Sequence, residues 1–395
     1  MDKIAVLSHI VPPAPSGQAT VLYRLLKALP SHRYTLLTRM PDTPNAQSEL
    51  ATEKLSGEYR HLKPFLQIPV LKFPILKEMA ILLNAFLGIL MRSFQIAAAI
   101  RKGSFCLLIA CTGDLYDLPA GYLASVMTRI PFVPYIFDDY IYQWRGIYRC
   151  LARCFEPHIM RNSRGVLVTN EFMRREYRDR YGVEGTVIHN PCELPSLQEL
   201  DRKERILDAG LKHIVYTGAI YHAQFDSFLV LIEAIRLLDR DDIILDVFTS
   251  QPETSLKKDG IAGPMVRFHP HIHSSEVPGV LRQADILFLP LAFRSAIPEV
   301  IRTSAPGKTG EYLSVGRPIL VHAPGDSFLS WFFREHACGL VVDEYDPLVL
   351  RSAIQELVTN RHIEMKINAR SAAEQEFGLP LIQGHFHDFL SRFER

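Results

Sequence analysis

Two parts of the chain alternate short apolar runs with helical periodicity, and this alternation narrows the fold more than any other feature. From Phe105 the pattern reads strand to Cys111, helix from about Leu115 to Thr128, strand from Pro131 to Phe137, helix around Trp144 to Met160 and strand from Val166 to Thr169. The grammar restarts at His213-Ile-Val-Tyr-Thr-Gly218, followed by a helix from Phe225 to Leu238 and strands at Ile243 to Phe248 and Ala284 to Pro290. Strands separated by helices pair in parallel, so both parts predict parallel sheets covered by helices, an α/β class.

A chain of 395 residues exceeds the roughly 250–300 at which one core usually splits, so two domains are expected. The boundary falls in Asn190-Pro-Cys-Glu-Leu-Pro195, ahead of the charged stretch from Gln198 to Asp208, which gives domains 1–195 and 196–378. Lys3 to Ser8 is a first strand; a proline-rich loop carrying His9 and Gly17 follows, then a helix with Ala19, Leu22, Leu25, Leu26 and Leu29 on one face. Arg33 to Thr38 reads as the second strand, and the polar span from Met40 to about Lys63 as loop.

With 44 basic and 43 acidic side chains the net charge is +1, which gives no pull toward nucleic acid. Six cysteines lack the spacing of a disulfide scaffold, and Met1-Asp-Lys-Ile-Ala-Val-Leu-Ser8 begins a strand rather than a signal peptide, so a reducing, cytoplasmic setting is expected.

The segment 65–102 is the most apolar. Its run from Met79 to Met91 is short for a bilayer, which needs about 20 residues. Asn84, Gly88, Arg92 and Gln95 share a narrow stripe, so the remaining circumference meets protein or lipid. Two readings stand: a buried core helix, or a peripheral contact with the inner face of a membrane, with Lys72, Lys77, Arg92, Arg101 and Lys102 facing anionic head groups.

The chemistry concentrates in Thr303-Ser-Ala-Pro-Gly-Lys-Thr-Gly-Glu-Tyr-Leu-Ser-Val-Gly-Arg-Pro-Ile-Leu-Val321. Ser304 as cap, Pro306 in the first turn and Gly316 as stop predict a helix of about three turns. Gly307 and Gly310 cost helix stability, roughly 1 kcal/mol each, which suggests close approach of a ligand to the backbone. Lys308 beside the helix start suits a diphosphate, and Glu311, three residues on, suits ribose hydroxyls. The bland alternative is a lysine–glutamate surface pair. Gly307-Lys308-Thr309 imitates the end of a P-loop, but Arg302 stands where that motif needs glycine.

Elsewhere, Asp138 and Asp139 follow a strand, where open sheets bind ligands, although one of them is equally suited to cap the next element. Cys150, Cys154 and His158 share a helical face, but Pro157 interrupts that helix and a fourth ligand is missing; His269, His271 and His273 alternate as on a strand. Neither group is taken as a metal site.

The stretch from Thr303 to Val321 resembles the donor-site segment of family 4 glycosyltransferases, enzymes of the GT-B fold with two Rossmann-like domains. The resemblance implies a first domain for the acceptor and a second for a nucleotide-diphosphate sugar, which serves as substrate with no cofactor, and a terminal helix, 379–395, packing back on the first domain. It implies Gly17, Gly218, Pro306, Lys308, Thr309 and Glu311 as donor-site residues. Asp138 stands where the family carries a histidine or aspartate that contacts the donor sugar. Two departures are plain: Tyr221-His-Ala-Gln-Phe-Asp226 lacks the basic pair found shortly after the glycine in many members, and Thr303 replaces the first of the family's paired glutamates, which leaves no clear role for Glu299. The implied function is sugar transfer to a glycan or lipid-linked acceptor in cell-surface polysaccharide synthesis, metal-independent and retaining. The alternatives are a non-catalytic partner in an assembly complex or a sugar-nucleotide epimerase.

Overall fold

The computed structural model describes residues 3–41, 53–64, 67–69, 74–196, 207–273 and 275–394. Lys72 and most of the charged stretch from 198 lie outside the described residues. The chain forms two compact units, Met1–His189 with Ile382–Arg395, and Asn190–Leu381.

In the first unit, β1 (Lys3–Leu7) leads to α1 (Gly17–Leu26), β2 (Tyr34–Thr38), β3 (Glu58–His61), α2 (Pro74–Arg101) and β4 (Phe105–Cys111). There follow α3 (Asp117–Thr128), β5 (Phe132–Ile136), α4 (Gly146–Asn162), β6 (Leu167–Val168), α5 (Glu171–Tyr181) and β7 (Thr186–Val187). The seven strands pair in parallel in the order β3-β2-β1-β4-β5-β6-β7. Strand side chains alternate between two cores. Ala5, Leu7, Leu108 and Ala110 face α2 to α5, whereas Ile4, Val6, Leu107 and Ile109 face α1 and the C-terminal residues Ile382, Phe386 and Phe389. Burial on both faces explains why these strands read as unbroken apolar runs.

The second unit contains β8 (Lys212–Thr217), α6 (Phe225–Leu237), β9 (Ile243–Phe248), α7 (Glu253–Lys258), β10 (Val266–His269), α8 (Val277–Gln283), β11 (Ile286–Pro290), α9 (Pro298–Thr303) and α10 (Thr309–Ser314). It continues through β12 (Ile319–His322), α11 (Phe328–Glu335), β13 (Leu340–Val342), α12 (Pro347–Thr359) and α13 (Ile363–Ala372), and α14 (Leu379–Ser391) ends the chain. Its parallel sheet runs β10-β9-β8-β11-β12-β13. Strand order reverses between β1 and β4 in one unit and between β8 and β11 in the other, and such reversals open a crevice at the carboxyl ends of the strands.

Several local expectations change. The division falls at His189/Asn190 rather than after 195, because Asn190 donates to Ala305 O (2.9 Å) and Cys192 bridges to Gly378. The crossing back falls at Ile382, inside α14, rather than at 379. The polar span after Met40 contains β3; its Glu-Tyr-Arg-His sequence is polar because, among the described residues, it is an edge strand paired only to β2. Pro157 does not end α4, which continues to Asn162.

Candidate donor site

In the second unit the site begins at the end of β8. Gly218 has φ +112°, a region that favours glycine, and its N–H donates to Phe248 O (2.8 Å). A Cβ built on Gly218 would lie 3.1 Å from Lys308 Nζ, so the glycine turn and the lysine are in direct contact. The loop after Gly218 is pinned on two sides. Gln251 exchanges hydrogen bonds with the Ile220 backbone, accepting at 2.6 Å and donating at 3.0 Å, and Ala292 N–H donates to Ala223 O (2.7 Å).

Lys308 occupies the cap position of α10, and its ammonium lies 3.7 Å from the centre of the Tyr216 ring. Lys308 is half-buried, and burial pushes its pKa down to about 7 against the opposing charge of Glu311. Tyr312 ties α10 to the sheet, because the Thr217 N–H donates to its buried hydroxyl (3.0 Å). Tyr216, Thr217 and Tyr312 stand inside the two stretches that the sequence singles out, but no sequence signal assigned them this role.

The segment itself departs from expectation. Ser304 ends α9 instead of capping a helix, Pro306 and Gly307 lie in the connecting turn, and α10 has six residues rather than three turns. So short a helix adds little dipole, and Lys308 must supply the positive charge. Thr309 is buried and its hydroxyl donates to Pro306 O (2.7 Å), so it braces the turn rather than facing a ligand. Gly310 is glycine for packing: a Cβ there would meet Cys192 Cβ at 2.8 Å and Phe377 Cβ at 3.0 Å. Gly307, by contrast, is exposed with open space around it. Thr303, which stands at the position of the family's first glutamate, is buried and donates to Glu299 O (3.2 Å). Arg294 stacks on Tyr345 (4.4 Å to the ring centre), held by Asp226, which accepts from Arg294 N–H at 2.7 Å.

In the first unit, the corresponding switch point carries Gly113, also at φ +112°, where a Cβ would strike His9 Cε1 at 2.4 Å. Burial lowers the pKa of His9. Gly17 is exposed at the start of α1, which Ser16 caps. The two aspartates after β5 separate clearly. Asp139 is buried, accepts from Ile141 and Tyr142 N–H (3.0 Å each) and pairs with Arg180. Asp138 is exposed; its N–H donates to Thr112 Oγ1 (3.4 Å). Desolvation by the surrounding protein and then the Asp139 charge raise its pKa.

The metal readings find other partners. His158 meets the Tyr122 hydroxyl (3.1 Å), and His269 and His213 both bond Asp246 (2.7 Å each). Among the described residues no cluster is arranged to hold a metal ion.

The family model for Glycosyltransferase Family 4 matches residues 15–194, and that for Glycosyl transferases group 1 matches 211–360. No curated protein matches in sequence. The fold is similar to that of a sucrose-phosphate synthase from Thermosynechococcus elongatus (TM-score 0.71, 15% identity, 99% of each chain). It is also similar to a glycosyltransferase from Rickettsia africae (TM-score 0.69, 13% identity, 99% of this chain and 98% of that one). A third similar structure is Anabaena HepE in complex with UDP and glucose (TM-score 0.68, 14% identity, 99% of this chain and 100% of that one). With one family model on each parallel-sheet unit, the chain belongs to the group 1, family 4 glycosyltransferases of GT-B fold.

Proposed function

We propose that the chain transfers a sugar from a nucleotide-diphosphate sugar to a glycan or lipid-linked acceptor, with retention of configuration and without a metal ion, in the cytoplasmic stage of cell-surface polysaccharide synthesis. The observation that carries the donor assignment is the Lys308 ammonium held against the Gly218 turn at the switch point of the second sheet. A fixed cation there stabilises the negative charge that grows on the departing diphosphate, and it needs no reorganisation as the bond breaks. Glu311 is assigned to ribose hydroxyls. Asp138, the aspartate not engaged in capping, is assigned to the positive charge that develops on the sugar.

The test is calorimetric titration with UDP-, GDP-, ADP- and dTDP-sugars, UDP-sugars first because the Anabaena structure holds UDP. One donor class should bind wild type and be lost in both Lys308→Ala and Glu311→Ala. Binding retained in both variants would remove the assignment.

A further inference from the structure

The helix α2 is apolar on its buried side, where Ile89, Ile96 and Ile100 enter the core, and apolar again on its exposed side. Its inward side also carries polar groups with partners. Asn84 accepts from Ile68 N–H (2.7 Å) and donates to Ile68 O (2.8 Å), while Arg92, 2% exposed, pairs with Asp114 (2.6 Å) and Asp117. Arg92 is thus committed inward and does not serve head groups, contrary to the sequence-based reading. Outward, Leu76, Met79, Leu83, Phe86, Leu90 and Phe94 recur at three- and four-residue spacing and are 37% to 61% exposed. On α3, which packs along α2, Leu123 and Val126 are also exposed. A contiguous stripe of this kind marks an interaction surface.

Charge identifies the occupant. Lys77, Arg101, Lys102 and Arg129 stand exposed around the stripe, and Arg153 and Arg161 on α4, which covers the same sheet face. Among the described residues of α2, α3 and α4, Glu78 is the one exposed acid. A second copy meeting this face about a two-fold axis would oppose basic side chains to basic side chains. An anionic lipid surface satisfies both the apolar stripe and its basic surround. Although α2 is long and apolar enough to cross a bilayer, 39% of its apolar window is buried inside the protein, with Ile89, Ile96 and Ile100 in the core and Arg92 held in ion pairs, so it lies along the membrane rather than through it.

We infer that the α2–α4 face of the first unit docks on anionic membrane, with the apolar stripe sunk to the level of the acyl chains. The inference rests on the proposed function only for the cargo, an acceptor carried in that membrane; docking itself requires no sugar.

The experiment is flotation of the full chain with phosphatidylcholine vesicles and with vesicles containing about one third phosphatidylglycerol, alongside light scattering for oligomeric state. Wild type should float with the anionic vesicles only. The exposed-site variant Met79→Ser/Phe86→Ser/Phe94→Ser should lose at least tenfold in partitioning, and Arg153→Glu/Arg161→Glu severalfold, while the melting temperature and nucleotide-sugar affinity stay unchanged. Wild type that stays with the protein pool, or a triple variant that floats as well as wild type, overturns the inference. A wild-type dimer that the triple variant converts to monomer also overturns it, in favour of a protein interface. Because donor affinity is read separately, failure of docking and failure of the proposed function give different results.

Discussion

The clearest consequence of the Lys308 environment is a dependence of donor affinity on pH. With its pKa near 7 in the unliganded protein, the lysine is half protonated at pH 7, and a diphosphate selects the charged form. The apparent dissociation constant then scales as 1 + 10^(pH − 7): about 1.1 at pH 6 and about 11 at pH 8, a tenfold weakening or about 1.4 kcal/mol. Stability runs the opposite way. Because the folded pKa lies below the unfolded value of about 10.4, the unfolded chain binds the extra proton between roughly pH 7 and 10. The unliganded protein therefore gains up to about 1.4 kcal/mol per pH unit across that window. The assay is calorimetry in two buffers of different ionisation enthalpy, with a nucleotide-diphosphate sugar rather than the free diphosphate, whose terminal phosphate ionises near pH 6. Uptake of about half a proton at pH 7 is expected, and Lys308→Arg should bind with a flat pH profile. A wild-type profile flat from pH 6 to 8, or the same slope in Lys308→Ala, would refute the reasoning.

Two further substitutions separate chemistry from packing. Asp138→Asn should lower the transfer rate about a hundredfold or more with donor affinity kept, whereas Asp139→Asn should cost about 2–3 kcal/mol of stability in denaturant titration, since it leaves a buried cap and ion pair incomplete; equal effects at the two sites would contradict the assignment. Gly310→Ala should destabilise by about 1–3 kcal/mol through contact with Cys192 and Phe377, and a variant as stable as wild type would show that the glycine serves a ligand after all.

The sequence by itself determined the two parallel-sheet units, since periodicity is a local property: a strand covered on both faces is continuously apolar, and a crossover helix repeats every three or four residues. Gly218, named through the family resemblance, and Lys308, read from its place beside a helix start, come into contact in the structure. The sequence did not show which way a side chain turns. Thr309 and Gly310 looked like ligand contacts until Pro306, Cys192 and Phe377 were found against them. Asp138 and Asp139 are identical neighbours until Arg180, forty-one positions further on, selects one of them. In α2 the same apolar circumference fits a core helix or a membrane face; the tertiary structure buries Ile89, Ile96 and Ile100 and pairs Arg92 with the distant Asp114 and Asp117, which leaves Met79, Phe86 and Phe94 facing out. Partners remote in sequence make these choices, and a charge once buried must be met by its counterpart wherever the chain supplies it.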